Sequence, residues 1–401
     1  MNSIVQALAL SSVLMGAATI SQTQTAPVAP QAVPTTPNIS AEKPIPAQPL
    51  IPALSTTPDQ SMETKLVIDE EMTKIIYEFP DYVPVPSWDG SITIGGSETM
   101  APTLIAVSEA FNRLYPNVKF NIRGGGSDGA LQALIEGKCD FASVSRNMSE
   151  AEINQIEIDS GKDIIEIEIG RGAACVYVNA DNPITQITRE QLNGIFSITH
   201  SMTKEPIFSW KELDPASPLG QEWISLYVAD ERSSTTRTFV DFAMPNERFT
   251  TSYFYLEPSP SSVVNACCAY KTAIGVGSFR HRQPRAKALA ISADKGKTFV
   301  SPNSMTVFTS QYPLSRPLQL VAVLDKQGNL SPLLLDFVRF ILSETGQDEI
   351  HEDGYTPTNP KELPAFIVRA HAAAATLQTL LNQSTSGQPN AAPSATSADA
   401  P

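Results

Sequence analysis

Apolar positions along the chain switch between two spacings. Ser91 to Ile94 reads as a short strand, and Leu104, Val107, Phe111 and Leu114 then recur every three or four residues. That places them on one face of a helix whose first turn tolerates Pro102. Val118, Phe120 and Ile122 return to a spacing of two, the mark of a half-buried strand. Leu131, Leu134 and Ile135 define the next helix, and Asp140 to Val144 the next strand. Ile165, Ile167 and Ile169 then alternate with Glu166 and Glu168. This β-α-β-α-β order predicts an α/β sheet with ligands at the C-terminal ends of its strands.

Beyond a strand at Ala173 to Val178 the same style continues in what reads as a second lobe. Thr188 and Gln191 stand three apart between apolar residues, so a helix is expected to start at Thr188. His200 to Gly220 reads as loop, and Ile224, Leu226 and Val228 as a strand. A helix from about Ser261 to Tyr270, strands near Ile274 and Ala288, the apolar strand Leu318 to Leu324, and helices at Leu333 to Leu342 and Thr345 to Glu352 complete the body. No internal repeat is evident.

The ends differ in kind. Ala7 to Ile20 is an apolar run too short to span a bilayer, followed by small and polar residues. Residues 1–22 read as a secretory signal peptide, with a disordered apolar N-terminus as the other reading because Met1 to Gln6 holds no Lys or Arg. Residues 23–62 carry nine prolines among Ala, Thr and Gln and read as an extended linker. Residues 373–401 read as a helix end and a low-complexity tail that is disordered from Ser384. With 401 residues, 42% of them hydrophobic, two lobes are expected. The predicted division is 63–178 for the first part of lobe 1, 179–312 for lobe 2 and 313–372 for the return to lobe 1.

No other run approaches the ~20 apolar residues of a membrane helix, so no membrane insertion of the mature chain is expected. A net charge of −14 argues against nucleic acid and anionic membrane surfaces. It also means that any bound oxyanion must be held by local, dehydrated donors. Cys139, Cys175, Cys267 and Cys268 lack zinc-type spacing and the four histidines form no cluster, so neither a metal nor a cofactor is expected. The cysteines read as buried small apolar residues, with disulfides left open. None precedes residue 139, so no lipid-modified cysteine is expected at the mature N-terminus.

Candidate chemistry lies in three stretches that each open a predicted helix: Gly95-Gly96-Ser97-Glu98-Thr99, Gly124 to Gly129 and Asp230 to Thr235. A helix N-terminus presents unpaired N–H groups and about half a positive charge to an anion. Plain capping by Ser97, Thr99 or Asp128, and a polar turn at Ser233 to Thr235, are the competing readings. A hydrolase acting through Ser97, Thr99 or Ser127 lacks an accompanying histidine or metal and is disfavoured.

These loops resemble the phosphate-binding proteins of bacterial ABC importers, the PstS family, of the type II periplasmic-binding-protein fold. Ile94 to Pro102 (IGGSETMAP), Arg123 to Gly129 (RGGGSDG), Asp140 to Met148 (DFASVSRNM), Ser233 to Phe239, Ala273 to Gly277 (AIGVG) and Tyr312 to Pro317 (YPLSRP) follow the family's order. The resemblance implies two α/β lobes closing on phosphate, with crossover strands near Tyr177 to Pro183 and Tyr312 to Pro317. It implies a monomer in the periplasm that serves ABC permease subunits. Its implied ligand contacts are Thr99 and the Met100 amide, Ser127 with Asp128 beside it, Ser145, Arg146, Ser233, Ser234 and Thr235. Two departures stand out. An arginine that many members carry is Ala229 here, and an aspartate that some carry is Arg146, so the positive charge is expected at Arg146, with Arg232 and Arg237 as lesser substitutes. Only Asp128, Asp230 or Glu231 then remain as acceptors for a phosphate proton, which leaves sulfate, arsenate, molybdate or phosphonate, or a non-transport sensor, as alternatives.

Overall fold

The structure is a computed structural model and describes residues 69–220, 222–250 and 254–386. The expected signal peptide, the linker and the tail beyond Ser386 lie outside the described residues. Helix α1 (Glu70–Ile76) is capped by Asp69 and leads into β1 (Gly90–Gly96), α2 (Ala101–Leu114), β2 (Val118–Arg123), α3 (Gly126–Ile135), β3 (Phe141–Val144), α4 (Glu150–Ser160) and β4 (Ile164–Asn179). Leu104, Val107 and Phe111 of α2 are buried as their spacing requires, with Pro102 in the first turn. Leu114 departs from that stripe at 43% exposed. The helix ends there, and Tyr115 turns in to pack against Phe111 at 4.7 Å. Helix α4 carried no apolar signal because only Ile156 is buried; its ends are set by the Ser149 cap and by Gly161 at φ +65°.

The second half runs β5 (Gln186–Thr188), α5 (Arg189–Phe196), α6 (Trp210–Leu213), β6 (Ser225–Ala229), α7 (Ser234–Ala243), β7 (Phe254–Glu257), α8 (Pro260–Ala269), β8 (Ala273–Ser278), β9 (Ala286–Ala288), β10 (Ala290–Ser292) and α9 (Ser304–Phe308). The chain then returns through β11 (Ser315–Val323), α10 (Pro332–Ile341), α11 (Glu344–Glu352) and α12 (Ala365–Ser386). Thr188 and Gln191 form the expected reciprocal cap. Within His200 to Gly220, read as loop, the single turn α6 buries Trp210. Helix α12 continues to Ser386, past the Ser384 where the tail was expected to begin.

One sheet path, β2-β1-β3-β11-β4-β8-β6-β7, passes through both lobes. Strands β2, β1 and β3 are parallel and closed by antiparallel β11; β7, β6 and β8 are parallel and closed by antiparallel β4. The architecture therefore repeats, β1-α2-β2-α3-β3 matching β6-α7-β7-α8-β8, although the sequence shows no repeat. The 16-residue β4 links the two halves: it pairs with β11 up to Ala173 and with β8 from Ala174. Separate cores support the halves, one around Phe111, Phe337 and Phe340 and another around Phe196, Trp210 and Phe239. A smaller cluster under α3 contains Leu131, Leu134 and Val144. All four cysteines are buried free thiols, in line with the apolar reading.

Candidate functional site

The first loop follows β1 at Gly96, whose φ of +141° is strained for a side chain, and a Cβ there would strike the Ser143 backbone and hydroxyl. That close approach lets the Ser97 amide donate to the Ser143 carbonyl at 3.0 Å and to its hydroxyl at 3.0 Å. The Ser97 hydroxyl then lies 2.8 Å from that of Ser145, so the first and third loops are tied together.

Capping does not explain these hydroxyls. The N-cap of α2 is Met100, which caps nothing with its side chain, and α3 and α7 likewise start without a side-chain cap. In contrast α4, α5, α8, α9 and α11 each have one. Helices α6 and α10 also lack one, but α6 is a single turn of four residues and the Ser331 of α10 is exposed to water. Thr99 directs its hydroxyl across the lobes to Ser234 at 2.8 Å, and the Ser233 hydroxyl is buried without a partner. The first amides of α7 have no intrahelical acceptor. The Met100 amide, expected to face an anion, instead donates to the Ser97 carbonyl at 3.0 Å, and its side chain belongs to the core.

The second loop is held from two sides. Gly125 donates its amide to the Glu98 carboxylate at 3.0 Å, and Asp128 pairs with Arg146 at 2.7 Å. Ser127 sits half-buried in the first turn of α3 between these two ties. Arg146 does not point its charge at the hydroxyl group. Its guanidinium meets Glu152 in a two-point pair and Asp128 as well. Hydrogen bonding to Glu152 holds the Arg146 pKa above its ordinary value, and the same contact lowers that of Glu152. Arg232 pairs with Asp230 and Arg237 with Asp241, both largely exposed.

Sequence reasoning missed Arg316. It lies on β11 opposite Gly172 of β4, is 2% exposed, and donates to the Ser145 carbonyl at 3.3 Å and to the Thr235 hydroxyl at 3.0 Å. Its Nε has no partner, and no carboxylate among the described residues pairs with it. Burial lowers its pKa from the ordinary arginine value. A lone arginine within YPLSRP, entering an apolar strand, was the available signal.

Beside the hydroxyl group opens a cleft of about 440 Å³, lined among others by Glu98, Thr99, Ser233, Ser259 and Arg280. Arg280 donates to the Thr99 carbonyl at 3.4 Å and pairs with Asp353 at 2.8 Å, while the Tyr355 hydroxyl donates to the same carbonyl at 3.0 Å. Loops from both halves therefore converge where the strands end, and their free groups are hydroxyls, helix amides and one buried guanidinium. Such a set binds a small oxyanion.

These features define a binding protein of two α/β lobes, and the chain belongs to the PBP superfamily, whose domain model matches residues 83–345. It is similar to the phosphate-binding protein PstS of Pseudomonas aeruginosa, 29% identical over 283 residues, spanning 70% of this chain and 87% of that protein. It is also similar to the phosphate-binding protein PstS of Bacillus subtilis, 27% identical over 67% of this chain and 81% of that one. Among solved structures, a possible phosphate binding protein from Planctomyces limnophilus shares 25% identity at a TM-score of 0.54, covering 74% of this chain and 99% of its own. The resemblance read from the loops thus holds, and so does the two-lobed type II fold.

Proposed function

We propose that this protein captures inorganic phosphate between its two lobes, in the periplasm, and delivers it to the permease of an ABC importer. Thr99, Ser127, Ser145, Ser233, Ser234 and Thr235 are the contacts, together with the first amides of α3 and α7. The observation that carries the reading is the 2.8 Å approach of Thr99 to Ser234, which brings two uncapped helix starts from opposite lobes to one point. Relatives named for phosphate binding supply the ligand. Among the described residues no helix is long and apolar enough to cross a membrane, which suits a partner that works beside the permease. The Thr99 hydroxyl meets another hydroxyl, as does that of Ser97, so neither is paired with a base for hydrolysis.

Titration calorimetry of the full chain with phosphate tests this: saturable heat at micromolar to millimolar ligand is expected, and its absence refutes the reading. A second reading, a different oxyanion, draws support from the acids. Asp128 and Asp230 are each paired with an arginine, and Glu231 is exposed. Among the described residues that line the cleft, Glu98 is the carboxylate without an arginine partner. If no acid accepts the phosphate proton, sulfate should compete within about tenfold, a difference of about 1.4 kcal/mol.

A further inference from the structure

The site has a buried positive charge with no counter-ion. Arg316 is enclosed at the point where β11 passes between the lobes, with one terminal nitrogen on the Ser145 carbonyl of the first lobe and the other on the Thr235 hydroxyl of the second. Those are neutral acceptors. Its Nε donates to nothing. An isolated cation inside a protein costs several kcal/mol unless an anion shares the space. Every other candidate cation already has its anion: Arg146 has Glu152 and Asp128, Arg232 has Asp230, Arg237 has Asp241, and Arg280 has Asp353.

Position supports the same assignment. Ser145 shares a hydrogen bond with Ser97, and Thr235 follows Ser234, the partner of Thr99. The guanidinium therefore sits directly behind the hydroxyls that line the oxyanion site. Ala229, at the end of β6, is buried and contributes only its carbonyl, which accepts from the Thr236 hydroxyl. We infer that Arg316, reaching in from β11 between the lobes, neutralises the bound oxyanion in place of an arginine at position 229. The inference rests on the oxyanion reading above. It also makes β11 more than a connector, because one of the two strands that pass between the lobes carries the charge that rewards their closure.

The test is calorimetry and thermal melting of full-length wild type, Arg316→Gln, Arg316→Lys and Arg237→Gln against phosphate, sulfate, arsenate and molybdate. Arg316→Gln is expected to lose at least 100-fold in affinity for whichever oxyanion the wild type binds, and with it the ligand-induced rise in melting temperature. Arg316→Lys, which keeps the charge, should bind at least tenfold more tightly than Arg316→Gln. Arg237→Gln, the same charge change on the surface, should match wild type. Without ligand, Arg316→Gln should melt no lower than wild type, because an unpaired buried charge is removed. Equal affinities of Arg316→Gln and wild type overturn the inference. Wild type that binds sulfate but not phosphate overturns the phosphate reading and leaves Arg316 to be judged on sulfate. Wild type that binds none of the four overturns both. Should Arg316→Gln fail to fold, the Lys variant decides: retained binding supports the charge role, and loss beyond 100-fold in a folded Lys variant overturns it.

Discussion

The hydroxyl of Thr99 lies 2.8 Å from the hydroxyl of Ser234, and the two residues belong to the starts of equivalent helices of the two structural repeats, Thr99 one residue before the N-cap of α2 and Ser234 the first residue of α7. A direct hydroxyl-to-hydroxyl contact therefore links the lobes at the point where a ligand would enter between them, beside the contacts of Arg280 and Arg316. Thr99→Ala and Ser234→Ala should each weaken phosphate binding about tenfold, since each removes a hydroxyl worth about 1–1.5 kcal/mol. Because they share one contact, their effects should not add. A double-mutant cycle by calorimetry should give a coupling of at least about 0.5 kcal/mol; strictly additive losses would show that the two act on separate parts of the ligand.

Gly96 sets the geometry from which that contact is reached. Its φ of +141° and the Ser143 backbone against its α-carbon leave no room for a methyl group. Gly96→Ala should destabilise the protein by about 3 kcal/mol, combining backbone strain with overpacking against a strand that cannot retreat. Chemical denaturation measures the loss, and a variant within about 0.5 kcal/mol of wild type, the usual range of surface substitutions, would refute the steric account.

Much of this was readable in the chain. The spacing of Leu104, Val107 and Phe111 located α2, and the Thr188–Gln191 pair located the start of α5, because both signals are local. The loop at Ser97 was legible for the same reason. Arg316 was not, since its role depends on which carbonyl and hydroxyl face it from residues 171 and 81 positions away. Arg146 drew attention as a charge beside Ser145, but its partners Asp128 and Glu152 come from the starts of two different helices. Neither the pairing of distant charges nor the repeat of β1-α2-β2-α3-β3 in the second half leaves a mark at sequence level, because burial and topology fix them rather than spacing.

Arg146 is accordingly a brace. It joins the first turn of α3 to the first turn of α4 through two carboxylates, and its side chain remains 28% exposed. Arg146→Ala should lower stability by about 1 kcal/mol, the scale for a partly exposed pair. Phosphate affinity should fall by less than tenfold, because the charge is already compensated and only the placement of Ser127 is disturbed. Calorimetry on the variant checks this, and a loss beyond 100-fold would restore Arg146 as a direct ligand.

Two histidines set a pH dependence of stability. Burial, aided by Arg280, lowers the pKa of His281 from 6.5 to about 4, and burial, aided chiefly by Arg339, lowers that of His371 to about 4. Asp336, in contact with Arg339, acts in the opposite sense on His371. In the folded protein both rings are neutral down to about pH 4, whereas in the unfolded chain they take up protons near pH 6.5. Between those values the unfolded state binds more protons, so stability is full above about pH 6.5 and declines as the pH falls towards 4. Glu247, held down to about 2 by its serine, threonine and asparagine partners despite an opposing desolvation effect, begins to lose its own contribution only as the pH approaches its unfolded value of 4.5, so the histidines act first as the pH falls from 6.5. Each histidine contributes on the order of 2 kcal/mol to the decline. Thermal melts from pH 7.5 to 4.5 should fall steadily in wild type and less steeply in His371→Gln, and a melting temperature constant across that range would show that neither ring is held neutral by the fold.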